Sequence, residues 1–336
     1  MTVKYVDSDY SEKRRIRKRQ YMVLGAVVAV VVLIIIIVVP VVVTKQKKNN
    51  AIQLEDTGSD KNNSGQYPVS PYAHMVTPIV TNNGTDINKK ERVFVIGDVH
   101  GCVSEFNDLL EAVQFNATKD QMILAGDLTS KGPDSIGVIR RAREIGALCV
   151  RGNHDDKVIR LKTFELERGL GAMTPPDATM PEGNVPDPLK FDNSHMDIVR
   201  NMTKEDYDYL SSCPIILHLP SFNNSVIVHG GIDPNVQNLY DQIPYLVMNM
   251  RNIDKHEQPT PDQKVGHQWA AEFNDVQQEL TVNNTKVYYG HNADRGLNLR
   301  DYTFGLDTGC VYGKELTTMD IKTHKLTHVK CKKYAS

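Results

Sequence analysis

Asp98 and His100 stand two residues apart in GDVHG, Asp127 sits in GDLTSKG, and Asn153 and His154 fall together in RGNHD. Farther along come His229 in VHGG and His291 in YGHN. In an extended segment alternate side chains point to one side, so Asp98 and His100 can serve one ligand. Carboxylate, imidazole and amide oxygen form a mixed oxygen–nitrogen donor set. Such a set suits Mn, Fe or Zn better than a closed thiolate site does. Two cations roughly 3.5–4 Å apart need a bridging ligand, and a carboxylate such as Asp127 can bridge. A single Gly-Asp or Gly-His pair is ordinarily just a turn. Five such turns, each behind an apolar run and each offering a hard ligand, point instead to one shared centre.

The runs that must position these residues are 92–96, 121–125, 147–150, 226–228 and 286–289. Short apolar or β-branched runs of this kind suit buried strands. Between the early ones the spacing turns helical: Phe106, Leu109, Leu110 and Val113 follow Ser104, the expected N-cap. The segment DSIGVIRRAREIG after Pro133 reads the same way. Alternating strands and helices predict α/β layers, with functional groups at the carboxyl ends of strands. Helical signals fade after Met173, and 174–188 reads as a long proline-rich loop, either a surface excursion or part of a substrate wall.

In this order the five motifs resemble the metallophosphoesterase (calcineurin-like) superfamily, whose phosphoprotein-phosphatase branch carries GDxHG, GDxxDRG, GNHE and two later His motifs. Here Ser130-Lys131 replaces Asp-Arg and Asp155 replaces the Glu, departures that resemble the ApaH-like branch. The resemblance implies a layered α-β-β-α sandwich and two divalent metal ions drawn from Zn, Mn, Co or Fe, with Zn favoured. It implies Asp98, His100 and Asp127 on the first ion, and Asp127, Asn153, His229 and His291 on the second. His154 would be the general acid, and Arg151, Lys131 and Arg251 would hold phosphate oxygens. Hydroxide formed between the ions would attack phosphorus in line while His154 protonates the departing phosphate. In relatives the Asp missing at Ser130 orients the catalytic His; Asp155 is an adjacent candidate for that task.

The N-terminus carries a different signal. Residues 22–43 contain no charge and span ~33 Å as a helix, enough to cross a hydrocarbon core. A soluble core helix rarely runs so long without a polar face, and no Ala-x-Ala-like cleavage site follows, so 21–43 reads as a retained signal anchor. Seven bases precede it, and the nearby bases that follow are Lys45, Lys47 and Lys48, which puts the 1–20 tail in the cytosol and the remainder in a lumen. Residues 44–90, rich in Asn, Ser, Gly and Pro, read as a flexible tether ahead of a catalytic domain at 91–336. Six glycosylation sequons, at Asn62, Asn83, Asn116, Asn201, Asn223 and Asn283, suit a lumenal domain. The five cysteines follow no metal spacing and allow at most two disulfides with one thiol left over.

Composition bounds the rest. At 336 residues with 24% charged and 40% hydrophobic side chains, the chain is neither disordered throughout nor collagen-like. A net charge of −2 excludes a generically basic nucleic-acid binder, and no nucleic-acid partner is expected. Residues 1–43 hold seven bases against three acids, which leaves a net −6 on the remainder. An anionic substrate therefore needs local positive charge, such as bound metal ions. One anchor ahead of such a domain resembles the architecture of the fungal vacuolar zinc-dependent endopolyphosphatases. The expected activity is phosphoanhydride hydrolysis, with inorganic polyphosphate as partner and the vacuole membrane as location. Diadenosine tetraphosphate hydrolysis, phosphoprotein dephosphorylation and a catalytically dead, tethered binding protein are the alternatives.

Overall fold

The computed structural model describes residues 79–81, 85–183, 185–191, 194–280 and 284–336. The basic tail, the 21–43 segment, most of the tether and the sequon residues Asn62, Asn83 and Asn283 lie outside these. Among the described residues no helix is long and apolar enough to cross a membrane.

Strands β1 (Ile79–Thr81), β2 (Arg92–Ile96), β3 (Asp120–Leu124) and β4 (Leu148–Cys149) come first. Then follow β5 (Ile216–Leu219), β6 (Ser225–Ile227), β7 (Asn252–Ile253), β8 (Pro259–Thr260) and β9 (His267–Gln268). The last are β10 (Lys286–Tyr289), β11 (Asn298–Leu299), β12 (Thr303–Gly305), β13 (Glu315–Asp320) and β14 (Lys325–Lys330). The helices are α1 (Thr85–Lys89), α2 (Val103–Ala112), α3 (Ser135–Glu144), α4 (Asn153–Arg168), α5 (Met196–Asn201), α6 (Lys204–Ser211), α7 (Pro244–Asn249) and α8 (Trp269–Glu279).

Two sheets carry the fold. One runs β14-β13-β2-β3-β4, the other β1-β5-β6-β10-β12-β11, and β8-β7-β9 form a small third sheet. In β2 the side chains alternate between two apolar environments, as the strand period of two requires. Val93 and Val95 join Leu217, Ile227 and Tyr288 of the second sheet in a core between the sheets. Phe94 and Ile96 face outward and pack with Phe106 of α2, Ile139 of α3 and Ile159 of α4. On the far side, Val226 and Val287 pack under Val247 of α7 and Trp269 of α8. Burial on both faces explains the near-continuous apolar runs, and the layering is α-β-β-α.

Some expectations need correction. Ile79–Thr81, assigned to the tether, is a strand paired in parallel with β5, so the folded domain reaches back at least to Ile79. Ser104 is not the cap of α2: the N-cap is Cys102, and its carbonyl accepts the first helical bond from Phe106 N–H. The tight turn in which Cys102 N–H donates to Val99 C=O starts the helix early without a capping side chain. Asp134 does cap α3, its carboxylate accepting from Gly137 N–H at 2.7 Å. The 174–188 loop is no free excursion. Met180, Glu182 and Val185 are buried, and the Glu182 carboxylate accepts from Arg160 of α4 at 2.6 and 2.7 Å. Of the sequon residues described, Asn116, Asn201 and Asn223 lie at the exposed surface.

Two disulfides form. Cys149–Cys213 ties the end of β4 to the chain after α6, and Cys310–Cys331 ties the turn after β12 to the tail after β14. Cys102 remains a buried free thiol.

Candidate metal centre

Strands β2, β3 and β4 run parallel in one sheet, and β6 and β10 run parallel in the other. Their carboxyl ends deliver the polar turns to one place. Asp98, His100 and Asp127 form one group whose donor atoms lie within 4.8 Å of one another, and Asp127, His229 and His291 form a second. Asp127 belongs to both. All five side chains are buried. Asn153, at the start of α4, brings its Oδ1 to 3.1 Å from His229 Nε2.

The imidazoles are pre-oriented by the backbone. His100 Nδ1 donates to the Thr129 carbonyl at 2.9 Å, His229 Nδ1 to Ala125 at 2.9 Å, and His291 Nε2 to Asn249 at 3.1 Å. Each ring therefore turns its other nitrogen inward. Such outer partners fix the tautomer and orientation of metal-ligating histidines. With the rings neutral, the inward atoms are acceptors facing acceptors: His291 Nδ1 lies 3.2 Å from His229 Nε2, and Asp127 Oδ2 lies 3.4 Å from both His229 Nε2 and His100 Nε2. Lone pairs crowded in this way fit a divalent cation in each group.

The backbone is shaped to the same end. His100, Asp127 and His291 all adopt left-handed φ (45°, 50° and 74°), a region that side chains other than Gly rarely occupy. Strain of this kind collects where geometry serves function. Glycine lets the turns close: a Cβ on Gly152 would fall 2.2 Å from Asp127 N and Oδ1, and one on Gly290 2.1 Å from Asp98 Oδ1.

Electrostatics follow from crowding. Burial, then Asp307 beside it, hold Asp98 well above the usual carboxylate range. Burial would raise Asp127 too, but His229, His154 and His100 hold it well below that range. Against burial, Asp127 and Asp98 push the His229 imidazole up to about 9. Burial brings His100 down to about 4, despite Asp127. The ammonium of Lys131 donates to His100 Nε2 at 3.0 Å and lies 5.5 Å from the centre of the Tyr312 ring. The cluster thus draws positive charge to itself from the protein's own groups.

His154 follows Asn153, and its backbone N–H donates to Asp127 Oδ1 at 2.9 Å. Its ring meets His100 edge-on at 5.2 Å and lies edge to edge with His195, Nδ1 3.0 Å from His195 Nε2. Burial first, then Lys131, His100 and His195, hold its imidazole down to about 2, with Asp127 opposing. Asp155 does not serve this ring. Its carboxylate accepts from Leu128 N–H, Thr129 N–H, Thr129 Oγ1 and Gly152 N–H, and so clamps the Asp127 loop to α4.

The three expected phosphate contacts separate. Lys131 borders the cation cluster, as above. Arg251 is partly exposed and feels Asp127 and Asp98 electrostatically, while one of its amino groups donates to the Pro261 carbonyl at 3.3 Å. Arg151 is 2% exposed, and its guanidinium donates to Asp156 at 3.3 Å and the Ser211 carbonyl at 3.1 Å, while its buried Nε makes no hydrogen bond. It anchors the turn from within. Two residues outside the five motifs, Asp307 and His195, also border the site. Asp307 follows the apolar end of β12 as the ligands follow theirs, so the same signal marks it. His195 stands in a stretch with no such pattern.

Residues 91–322 match the family described as calcineurin-like phosphoesterase. The zinc-dependent endopolyphosphatase of Saccharomyces cerevisiae is 30% identical over 276 residues, 76% of this chain and 82% of that protein. The symmetrical bis(5'-nucleosyl)-tetraphosphatase of Coxiella burnetii is 26% identical over 294 residues, 73% of this chain and 94% of that protein. A crystal structure assigned to a diadenosine tetraphosphatase superposes with a TM-score of 0.61 at 28% identity, covering 76% of this chain and 99% of the other.

Proposed function

The chain belongs to the calcineurin-like phosphoesterase family, and from that premise we propose that it hydrolyses phosphoanhydride bonds, with inorganic polyphosphate as its substrate. The observation that carries this reading is Asp127, one carboxylate shared by two buried donor groups. Two divalent cations held there by Asp98, His100, Asp127, Asn153, His229 and His291 would supply Lewis-acid charge and lower the pKa of water. The chain's residues do the rest. Lys131 and Arg251 donate to the non-bridging oxygens of the phosphoryl group. His154 passes a proton to the oxygen of the departing phosphate. The buried imidazole is neutral on its own, and the negative charge of a phosphate chain beside it favours its protonated form.

Polyphosphate is favoured by the 30% identical endopolyphosphatase relative and by the positive charge of Lys131 and Lys333, which line one cleft together. Lys131 lines two clefts, one of ≈600 Å³ with Tyr312, Lys333 and Tyr334, the other of ≈670 Å³ with Ser130, Asp134 and Asp197. The test incubates the full-length protein with long-chain polyphosphate under Zn, Mn, Co or Mg, with a chelator control, and sizes the products on a gel. Cation-dependent shortening is expected. No shortening under any cation would refute polyphosphate, and preferential release from diadenosine tetraphosphate would transfer the reading to that substrate, which the Coxiella relative supports.

We further propose that residues 21–43 anchor the chain, with the catalytic domain in a vacuole-like lumen and carrying glycans. Two disulfides and exposed sequon residues Asn116, Asn201 and Asn223 support an oxidising, glycosylating compartment. Deglycosylation should increase gel mobility, and protease added outside intact vacuoles should spare the domain; cleavage of the domain there would refute this topology.

A further inference from the structure

His195 is the N-cap of α5, in sequence far from His154 and from every motif at the strand ends. It is 7% exposed. Its Nε2 lies 3.0 Å from His154 Nδ1, and the two rings meet edge to edge, with centroids 5.3 Å apart and planes 25° from parallel. We propose that His195 is a positioning residue that accepts the Nδ1 proton of His154, so that Nε2 is the nitrogen that delivers a proton to the leaving group. This rests on the phosphohydrolase reading above, in which His154 is the acid.

An imidazolium that gives its proton from Nε2 keeps the other on Nδ1 throughout. That N–H needs an acceptor, or its burial is costly. The carboxylates nearby do not provide it. Asp155 is engaged with Leu128, Thr129 and Gly152, and Asp127 Oδ1 takes the backbone N–H of His154 rather than its ring. Ser130, where the motif's Asp is missing, has its N–H on Ser135 Oγ, and its short hydroxyl offers no carboxylate. His195 fills the role from another element. Its lone pair selects the Nδ1–H tautomer, and the hydrogen bond disfavours a flip of His154, which would put a carbon where Nδ1 now bonds. When the proton leaves Nε2 for the departing oxygen, Nδ1–H···Nε2 persists and the ring stays aimed.

The test compares His195→Ala and His195→Gln, each in wild-type and His154→Ala backgrounds, on phenyl phosphate and dinitrophenyl phosphate. His195→Ala should lower kcat on phenyl phosphate roughly 10- to 100-fold with KM unchanged, less than the loss from His154→Ala. The loss should be smaller on dinitrophenyl phosphate, whose leaving group needs no proton. His195→Gln, which keeps an amide acceptor, should restore part of the rate. In the His154→Ala background neither change should matter further. A further loss in that background, or a loss blind to the leaving group, overturns the proposal. Long-range proton–nitrogen NMR of the full chain reads the tautomer without turnover: His154 should carry its proton on Nδ1 in the wild type and lose that preference in His195→Ala. An unchanged tautomer also overturns it. Failure of the wild type to cleave polyphosphate, diadenosine tetraphosphate and either aryl phosphate would instead count against the phosphohydrolase reading, so the two failures are distinct.

Discussion

Asp127 receives more converging demands than any other ligand in the centre. It serves two donor groups, takes the N–H of His154, and holds a left-handed backbone. Asp127→Asn should therefore reduce cation content at both positions, read by elemental analysis of purified protein; loss of only one equivalent would mean the carboxylate is not shared. His154→Ala should leave the cations bound and cut turnover roughly 10²–10⁴-fold, the range of a general acid; loss of metal with the imidazole would make it a ligand. The arginines diverge. Arg251→Ala should raise KM with little change in melting temperature. Arg151→Ala leaves Asp156 buried with one partner fewer, a change that costs about 3–5 kcal/mol when an ion pair is truly buried. Asp156 keeps Arg160, so the lower part of that range is expected in chemical denaturation. A KM effect without destabilisation would return Arg151 to substrate contact.

At the scale of elements, the ligands hang on turns whose backbones touch. Gly290 follows β10 at the point where a Cβ would strike the Asp98 carboxylate. Gly290→Ala should push Asp98 from its place and lower cation affinity while the circular dichroism spectrum stays native; wild-type affinity would show that the turn can yield. The helices contribute orientation. α4 begins with Asn153 and His154, so one helix start sets the proposed ligand and the proposed acid together, and Asp155 in the same first turn clamps the loop that carries Asp127. These links explain why adjacent residues do three separate jobs: successive positions on a helix start face about 100° apart.

For the whole molecule, the centre lies where two sheets bring their strand ends together, and buried carboxylates there repel one another. Divalent cations relieve that repulsion. A chelator should therefore abolish hydrolysis and also lower the melting temperature, since a ligand at 100 times its Kd stabilises by about 2.7 kcal/mol. A melting curve indifferent to chelator would mean the cations bind too weakly to shape the fold. The disulfides hold the same region from outside: Cys149 sits just before the Asn153 turn, and Cys310 lies just past Asp307.

Much of this was readable from sequence because the information is local. β2 and β10 have the boundaries expected, and β3, β4 and β6 lie within two residues of theirs, because a strand buried on both faces has a continuous apolar run and ends where a turn must begin. The six proposed ligand positions follow those ends directly. What tertiary structure alone decided concerns partners distant in the chain. His195 beside His154, Arg151 turned inward to Asp156, Asp155 as a clamp, the two cysteine pairings and the pairing of Ile79–Thr81 with β5 depend on which surfaces meet. A run of residues specifies which side chains can bind a cation, since donor chemistry is a property of the residue. It does not specify which buried group satisfies which, since that choice is made by contact across the fold.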